Sequence, residues 1–522
     1  KTGVNALVQW KPNDDLEIYA DTFFSKVKSD RHRNWVGFYN CCGYSDIEVT
    51  SEPGIDVITA ATVNRPMQGN SEFADATAEF SSNAIGASFF ANGWTYSSEI
   101  AYTKAENVIE QDFIRFQMTD ATAVSWDLQA SDVPSLEFNE TALLDKENLA
   151  LTILFDNHFV NDTTDLAFKF DAEIALDHSF FSGFSYGARF NTFETENDGY
   201  YRDIRPGFNL AQIEASSIGN ISQEYNNNDF FSGDAPATTQ HYLIANEANW
   251  HGCETLSSLY DNAQQALCDS TSAPDREYRN TEDIRAIFVK ADFDSELFGR
   301  NISGNFGLRN VDRDLTARGN IIDNADNSVN PYETKVSHSE LLPSAVMKVD
   351  WNDDLVFRFG GARVLSFPNT ADLTSGVVLG DNFTGVGGNP LLNPIVANQY
   401  DFSVEWYFDD ASLLSAGLFY KDLKSFIIAA EEFRNLPGIS EPIQTQTKKN
   451  GEEGKIKGIE LLYQQPFTFL PGWLSDTGIM TSYTYIDSKT PFMDDSGNNI
   501  QLPGLSKNNI NIVTWHDYHT HL

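Results

Sequence analysis

Apolar and polar residues alternate along this chain with a period of two. In "DLAFKFDAEIAL", Leu166, Phe168, Phe170, Ala172, Ile174 and Leu176 share one face, and Ala167, Lys169, Asp171, Glu173 and Ala175 share the other. In "YDFSVEWYF", Tyr400, Phe402, Val404 and Trp406 oppose Asp401, Ser403 and Glu405. Residues 340–351 do the same, with Leu341, Ala345, Met347, Val349 and Trp351 on the apolar side. This alternation predicts β-strands with one greasy face. The clearest lie near 4–10, 16–27, 76–90, 94–107, 165–176, 184–194, 281–293, 302–316, 340–351, 355–366, 398–407, 413–427, 455–467, 477–487 and 507–515. The stretch "AVSWDLQASDVPSLEFN" adds a further hairpin, for about 15 to 18 strands in an all-β fold. Helical signals are weak, and "SSLYDNAQQALCD" reads as a short loop helix.

Alternation alone fits two architectures. In a soluble sandwich the apolar face meets a core. In a large antiparallel transmembrane β-barrel it meets lipid, and the polar face lines a lumen. The connections separate the two. Short turns at 11–15, 91–93, 177–183, 295–300, 352–354, 408–412 and 470–476 alternate with long polar stretches. Those stretches cover 29–70, 110–145, 197–279, 318–336, 368–396, 428–453 and 489–502. Short periplasmic turns and long extracellular loops mark a barrel. A sandwich does not accommodate structureless loops of that length.

The turns carry a second mark. "WKPNDDL" at 10–16 recurs as "WNDDL" at 351–355 and as "WYFDDASL" at 406–413. An indole suits the membrane–water boundary, being apolar with one N–H in search of a partner. Asn and Asp close the reversal by bonding their own backbone. Leu16, Leu355 and Leu413 are expected to restart the lipid-facing series.

Composition narrows the function. The chain has 522 residues, 75 Asp+Glu against 35 Lys+Arg, and a formal net charge of −40. Such a polyanion repels phosphate backbones, so nucleic acid is excluded as a partner. Aromatics at 13% exclude disorder. No apolar run of about 18 residues exists, so no helix is expected to span a membrane, but barrel strands of about 9–11 residues escape that criterion. The opening "KTGVNALVQW" reads as mid-strand, so the chain is expected to be a mature or truncated piece of something longer. Cys253 and Cys268 stand 15 apart in a polar loop and are expected to form a disulfide, worth roughly 3 kcal/mol of loop constraint. Cys41 and Cys42 are adjacent, which disfavours a bridge between them.

No catalytic constellation is present: no G-x-S-x-G, no H-E-x-x-H, no phosphate loop and no dinucleotide fingerprint. No enzyme activity and no cofactor are expected. No metal site is expected either. His516, His519 and His521 sit in a polar tail, and acidic stretches such as 493–499 and 226–234 lack the calcium-loop spacing. The alternation predicts Lys169, Asp171, Glu173, Arg189, Asp401 and Glu405 as lumen-lining. Among loop aromatics, Trp126, Tyr200, Tyr201, Tyr242 and Trp250 are the candidates for stacking on a substrate, since sugar rings present apolar C–H faces.

Over residues 387–427, "GGNPLLNPIVANQYDFSVEWYFDDASLLSAGLFYKDLKSFI" resembles TonB-dependent outer-membrane receptors, most closely the branch common in carbohydrate-scavenging proteobacteria. "GKIKGIELLYQQPFTFLPGWLSDTGIMTSYTYIDSK", "LPGLSKNNIN" and "GVNALVQWKPNDDLEIYADTFFSKV" support the resemblance and spread it over nearly the whole chain. The resemblance implies a barrel of about 22 strands in a Gram-negative outer membrane. It also implies an N-terminal plug that couples to TonB, and external loops that catch the substrate. Residues 1–522 would be the barrel domain, incomplete: the plug would precede residue 1 and the last strands would follow "NNINIVTW". The implied function is active uptake of a nutrient too large for porins. An oligosaccharide is the first expectation. A siderophore or cobalamin, or a passive porin-like channel, is the alternative.

Overall fold

The computed structural model describes all residues except 39–42, 53–54, 130–134, 217, 227–240, 270–272, 327, 491–500, 503 and 518–522. Cys41, Cys42, His519, His521 and the acidic stretch 493–499 lie outside the described residues.

Fifteen antiparallel strands pair in sequence order. They are β1 (Thr2–Asn13), β2 (Leu16–Phe38), β3 (Met67–Ala91), β4 (Trp94–Met118), β5 (Leu149–Ala175), β6 (Phe181–Ile204), β7 (Tyr278–Leu297) and β8 (Arg300–Asp323). They continue as β9 (Ser328–Asp350), β10 (Leu355–Ser366), β11 (Ile395–Asp409), β12 (Ser412–Leu423), β13 (Gly454–Pro466), β14 (Thr477–Lys489) and β15 (Asn508–His516). Each lies where the period-two pattern predicts it. Among the described residues β1 pairs only with β2, and β15 only with β14.

The register carries the alternation from strand to strand. Ile100, Phe168 and Phe190 are matched across β4, β5 and β6, and Trp406, Leu414 and Leu355 across β11, β12 and β10. These side chains form one exposed apolar face, with Phe168 at 40% and Leu414 at 44% exposure. The opposite face carries Lys169, Asp171 and Glu173. A two-sheet core would have buried the first set.

The turns behave as expected. Trp10, Trp351 and Trp406 are exposed on the apolar face. The carboxamide of Asn13 accepts the Asp15 N–H, and that of Asn352 accepts from Asp354 and Leu355, at 3.0, 3.1 and 2.7 Å. One expectation needs correction. A register shift between Trp406 and Asp409 sets Leu414, not Leu413, opposite Trp406. The extra residues of "WYFDDASL" invert the parity, so Leu413 faces inward.

The strands are also longer than predicted. β5 runs for 27 residues and β3 for 25. At about 3.3 Å per residue they project far beyond the roughly 9–11 residues a bilayer needs. Much of 29–70 and 110–145, and the start of 197–279 as far as Ile204, is therefore strand. Its polar composition concealed it, because above the membrane both faces of a strand meet water or protein.

The continuous register extends the lipid-facing side into this projecting region. There Ile114, Leu154 and Ile204 would meet water, and they are fully buried instead. Tyr242, Leu243, Ile244 and Leu256 cover them in one apolar cluster. Ser71 Oγ accepts the Ala245 N–H at 2.9 Å. A Cβ at Gly69 would stand 2.3 Å from the Leu243 carbonyl oxygen, so the close approach of 241–245 requires glycine there. The hairpin read in "AVSWDLQASDVPSLEFN" is present, pairing Thr122–Asp127 with Ser135–Glu137. Helix Asn262–Cys268 matches the loop helix predicted from sequence.

Candidate functional site

The inward face of the projecting wall brings four rings into a ladder. Trp35 on β2, Phe113 on β4, Phe155 on β5 and Tyr201 on β6 stand at centroid spacings of 5.5, 5.3 and 5.5 Å. Their positions follow from parity, since each lies an odd number of residues from a lipid-facing neighbour on its own strand. Arginines cap the ladder. Arg33 lies 5.5 Å from the Trp35 ring centre, Arg115 5.5 Å from Phe113, Arg205 5.5 Å from Phe155, and Arg276 4.2 Å from Tyr201. These distances are within cation–π range.

Polar groups hold the guanidiniums, and two of them, Glu72 and Asn70, are buried. Glu72, 2% exposed, accepts from Arg31, from Arg33 Nε at 3.1 Å and from Gln111 at 3.1 Å. Burial alone would raise its pKa, but the hydrogen bonds from Arg33, Gln111 and Arg31 outweigh burial and keep it below the usual carboxylate value. Arg115 Nε donates to Asn70 Oδ1 at 2.8 Å, and Arg205 Nε to Asp203 at 2.7 Å. Arg276 faces Asp275 at 3.8 Å. Among the described residues, these five guanidiniums thus face three carboxylates on one surface of a chain whose net charge is −40. Burial, then the Asp203 charge, raises the Tyr201 phenol.

The sequence-predicted stacking residues separate. Tyr201 joins the ladder. Tyr200, one residue earlier, faces outward, where His158 stacks on it at 5.5 Å and Arg202 sits 3.9 Å from its ring centre. Trp126 packs against Phe38 and Tyr44, both at 5.8 Å. Tyr242 and Trp250 are 3% and 4% exposed within the outer apolar cluster. They offer no open ring face to a ligand, because they shield the outward wall from water. The ladder residues Trp35, Phe113 and Phe155 were missed. Trp35 and Phe113 stood in stretches read as loops, and Phe155 lay beyond the predicted start of its strand.

A carboxylate pair lies under the outer loop. Asp112 and Asp156 are matched across β4 and β5, and Arg202 holds Asp156 at 3.0 Å. Gly252, at φ +53°, caps them: a Cβ there would stand 2.8 Å from Asp156 and 3.1 Å from Asp112. The Cys253 N–H donates to Asp156 at 3.3 Å. Burial, then the charges of Asp156 and Glu110, pushes Asp112 up to about 7 against the pull of Arg202. Cys253 is bonded to Cys268, Cα atoms 5.7 Å apart, as the sequence predicts.

Register sets all six residues expected to line the lumen on the side of the sheet opposite Phe168, Phe190 and Trp406. Lys169 pairs with Asp171 at 2.8 Å. Arg189 lies 3.9 Å from Asp165, which also accepts from Asn191 at 3.1 Å. Glu405 accepts from Arg358 Nε at 2.8 Å and from the Tyr407 hydroxyl at 2.9 Å. Asp401 shares an inward groove of about 370 Å³ with Ser403, Lys421 and Glu460. Glu173 faces inward on β5 beside Ser185 of β6.

Solved outer-membrane receptors align with this chain at low identity. The alcaligin outer-membrane receptor FauA from Bordetella pertussis matches at 11% identity and a TM-score of 0.37, over 100% of this chain and 66% of its own. The siderophore receptor PiuA from Acinetobacter baumannii matches at 12% and 0.41, over 98% and 69%. BauA, the ferric preacinetobactin receptor from Acinetobacter baumannii, matches at 9% and 0.45, over 99% and 64%. The chain thus spans about two thirds of the length of these structures. No curated protein sequence matches it. The model for TonB-dependent receptor-like β-barrels matches residues 106–521, most of the length, and the chain belongs to that family of outer-membrane receptor barrels.

Proposed function

We propose that this chain forms the wall and external mouth of a receptor that actively takes up a nutrient too large for porins. The best-supported substrate is an anionic ligand presenting carboxylate or phenolate oxygens, the chemistry of a ferric siderophore. The observation that carries this reading is the Trp35–Phe113–Phe155–Tyr201 ladder with its arginine caps. Guanidiniums bind carboxylate and phenolate oxygens through paired hydrogen bonds, and the rings beneath hold the guanidiniums in place by cation–π contact. An oligosaccharide is served less well. A neutral sugar offers no anionic oxygen to the guanidiniums, and arginines cover the ring faces on which it would stack. Coupling to TonB is assigned to a plug within the same receptor. The single-sided pairing of β1 and β15 supports completion of the barrel by further strands, since an open sheet edge in hydrocarbon leaves backbone groups unsatisfied.

Trp35 provides the reporter. The full-length receptor in detergent is titrated with a ferric tris-catecholate, a ferric hydroxamate and a neutral maltooligosaccharide, following tryptophan fluorescence. Saturable quenching by an anionic chelate is expected, weakened by salt and roughly tenfold by Arg115→Ala. Saturable binding of the neutral sugar with no response to either chelate would overturn the substrate reading.

A further inference from the structure

Arg31 and Arg33 stand two residues apart on the inward side of β2, and one carboxylate on β3 holds both. Glu72 lies directly opposite Arg33. Its neighbour on the same face, Ala74, lies between Arg31 on β2 and Gln111 on β4. A methyl group at that place leaves room, so the Arg31 and Gln111 side chains both reach Glu72. Arg33 donates through Nε at 3.1 Å and through Nη2, Arg31 donates through Nη2, and Gln111 Nε2 donates at 3.1 Å. Gln111 is itself fixed, because its side-chain carbonyl accepts from Asn157 Nδ2 at 3.3 Å.

Exposure is divided unequally within this group. The Glu72 side chain is 3% exposed, whereas those of Arg31 and Arg33 are 55% and 57% exposed. The carboxylate is sealed from the lumen, and its guanidiniums are open to it. A guanidinium carries five N–H donors, and Glu72 takes only some of them from each arginine. The remaining donors have no protein partner among the described residues. Two cations sharing one carboxylate also leave one positive charge for an incoming anion. Long side chains held this way lose less freedom when a ligand arrives. We propose that Glu72 is the positioning residue of this mouth: without touching the ligand, it sets Arg31 and Arg33 as a preformed clamp for an anionic substrate. The assignment rests on the reading of the ladder as the substrate mouth.

The full-length receptor in detergent is titrated with a ferric tris-catecholate, following tryptophan fluorescence, in native form and as Glu72→Gln and Glu72→Asp. Charge alone predicts tighter binding by Glu72→Gln, because a negative charge beside the anion is gone. Positioning predicts the reverse. Kd should rise roughly tenfold, since two long side chains must then be ordered during binding. The bindable fraction should stay the same, whereas a damaged fold would lower it and leave Kd in place. Glu72→Asp keeps the charge with a shorter reach and should fall between native and Glu72→Gln. Gln111→Ala serves if neither Glu72 variant folds, and should raise Kd about threefold by loosening Glu72. Equal or tighter binding by Glu72→Gln, an unchanged Kd in Gln111→Ala, or a lower bindable fraction at constant Kd would overturn the assignment and leave the substrate reading intact. A native receptor with no saturable response to the chelate would overturn both.

Discussion

Asp112→Asn is expected to tighten the docking of residues 252–268 at neutral pH. In the docked loop, Gly252 and Cys253 cover the Asp112–Asp156 pair and remove water from it. Glu110 on its own strand and Asp156 on β5 oppose ionisation of Asp112, and Arg202 on β6 favours it. The loop adds Glu247, His251 and Glu254 around the same cavity. An acid whose pKa is raised by docking binds its proton more tightly when docked. Docking is therefore strongest below the undocked value, weakens as pH rises from 3.8 to about 7, and levels off above it. That interval sets a ceiling of about 4 kcal/mol at ~1.4 kcal/mol per pH unit. Asparagine keeps the shape and carries no charge, so it removes the penalty. The assay is hydrogen exchange of the 252–268 peptides in the full-length receptor from pH 5 to 8, expressed as protection factors. In the native protein, protection should fall with rising pH up to pH 7, by at most about tenfold per unit. The variant should be flat and better protected at pH 8. An unchanged slope, or a less protected variant at pH 8, would refute the reasoning.

Three other substitutions probe separate features. Phe168→Lys places a charge on the lipid face and should cost ~2–4 kcal/mol in denaturant-driven refolding into vesicles, whereas Lys169→Ala on the lumen side should cost under ~1 kcal/mol. Gly69→Ala forces a Cβ against the Leu243 carbonyl, so exchange protection of 241–245 should fall while the membrane strands keep theirs. Asn352→Ala removes two bonds to the turn backbone and should destabilise the β9–β10 hairpin by about 1 kcal/mol, read from urea midpoints.

The membrane half of the fold was legible because lipid enforces the alternation. A strand with hydrocarbon on one side and water on the other writes itself as period two, and all fifteen wall strands were visible that way. The turns were legible because an indole and Asx residues each have a local reason to stand there. Above the membrane that constraint ends. Residues 29–38 and 108–118 carry Arg, Glu and Gln on a strand that faces protein and water, and they looked like loop. The ladder was hidden for the same reason. Trp35, Phe113, Phe155 and Tyr201 are far apart in sequence, and only the register of long strands brings them together. Tyr242 and Trp250 were misplaced because an aromatic in a polar loop reads as exposed, whereas this loop has a core to build. The Cys253–Cys268 pairing needed only spacing and could be read directly.

The side of the wall on which each residue stands is open to direct measurement. Single cysteines at each position from 164 to 175 on β5, spin-labelled in the full-length receptor in bilayers, report collision with oxygen, which concentrates in lipid, and with a water-soluble nickel chelate. Oxygen accessibility should peak at Leu166, Phe168, Phe170 and Ile174, and nickel accessibility at Lys169, Asp171 and Glu173, with the two profiles out of phase at a period of two. Profiles in phase, or apolar positions closed to both reagents, would contradict a wall with lipid on one side and a polar interior on the other.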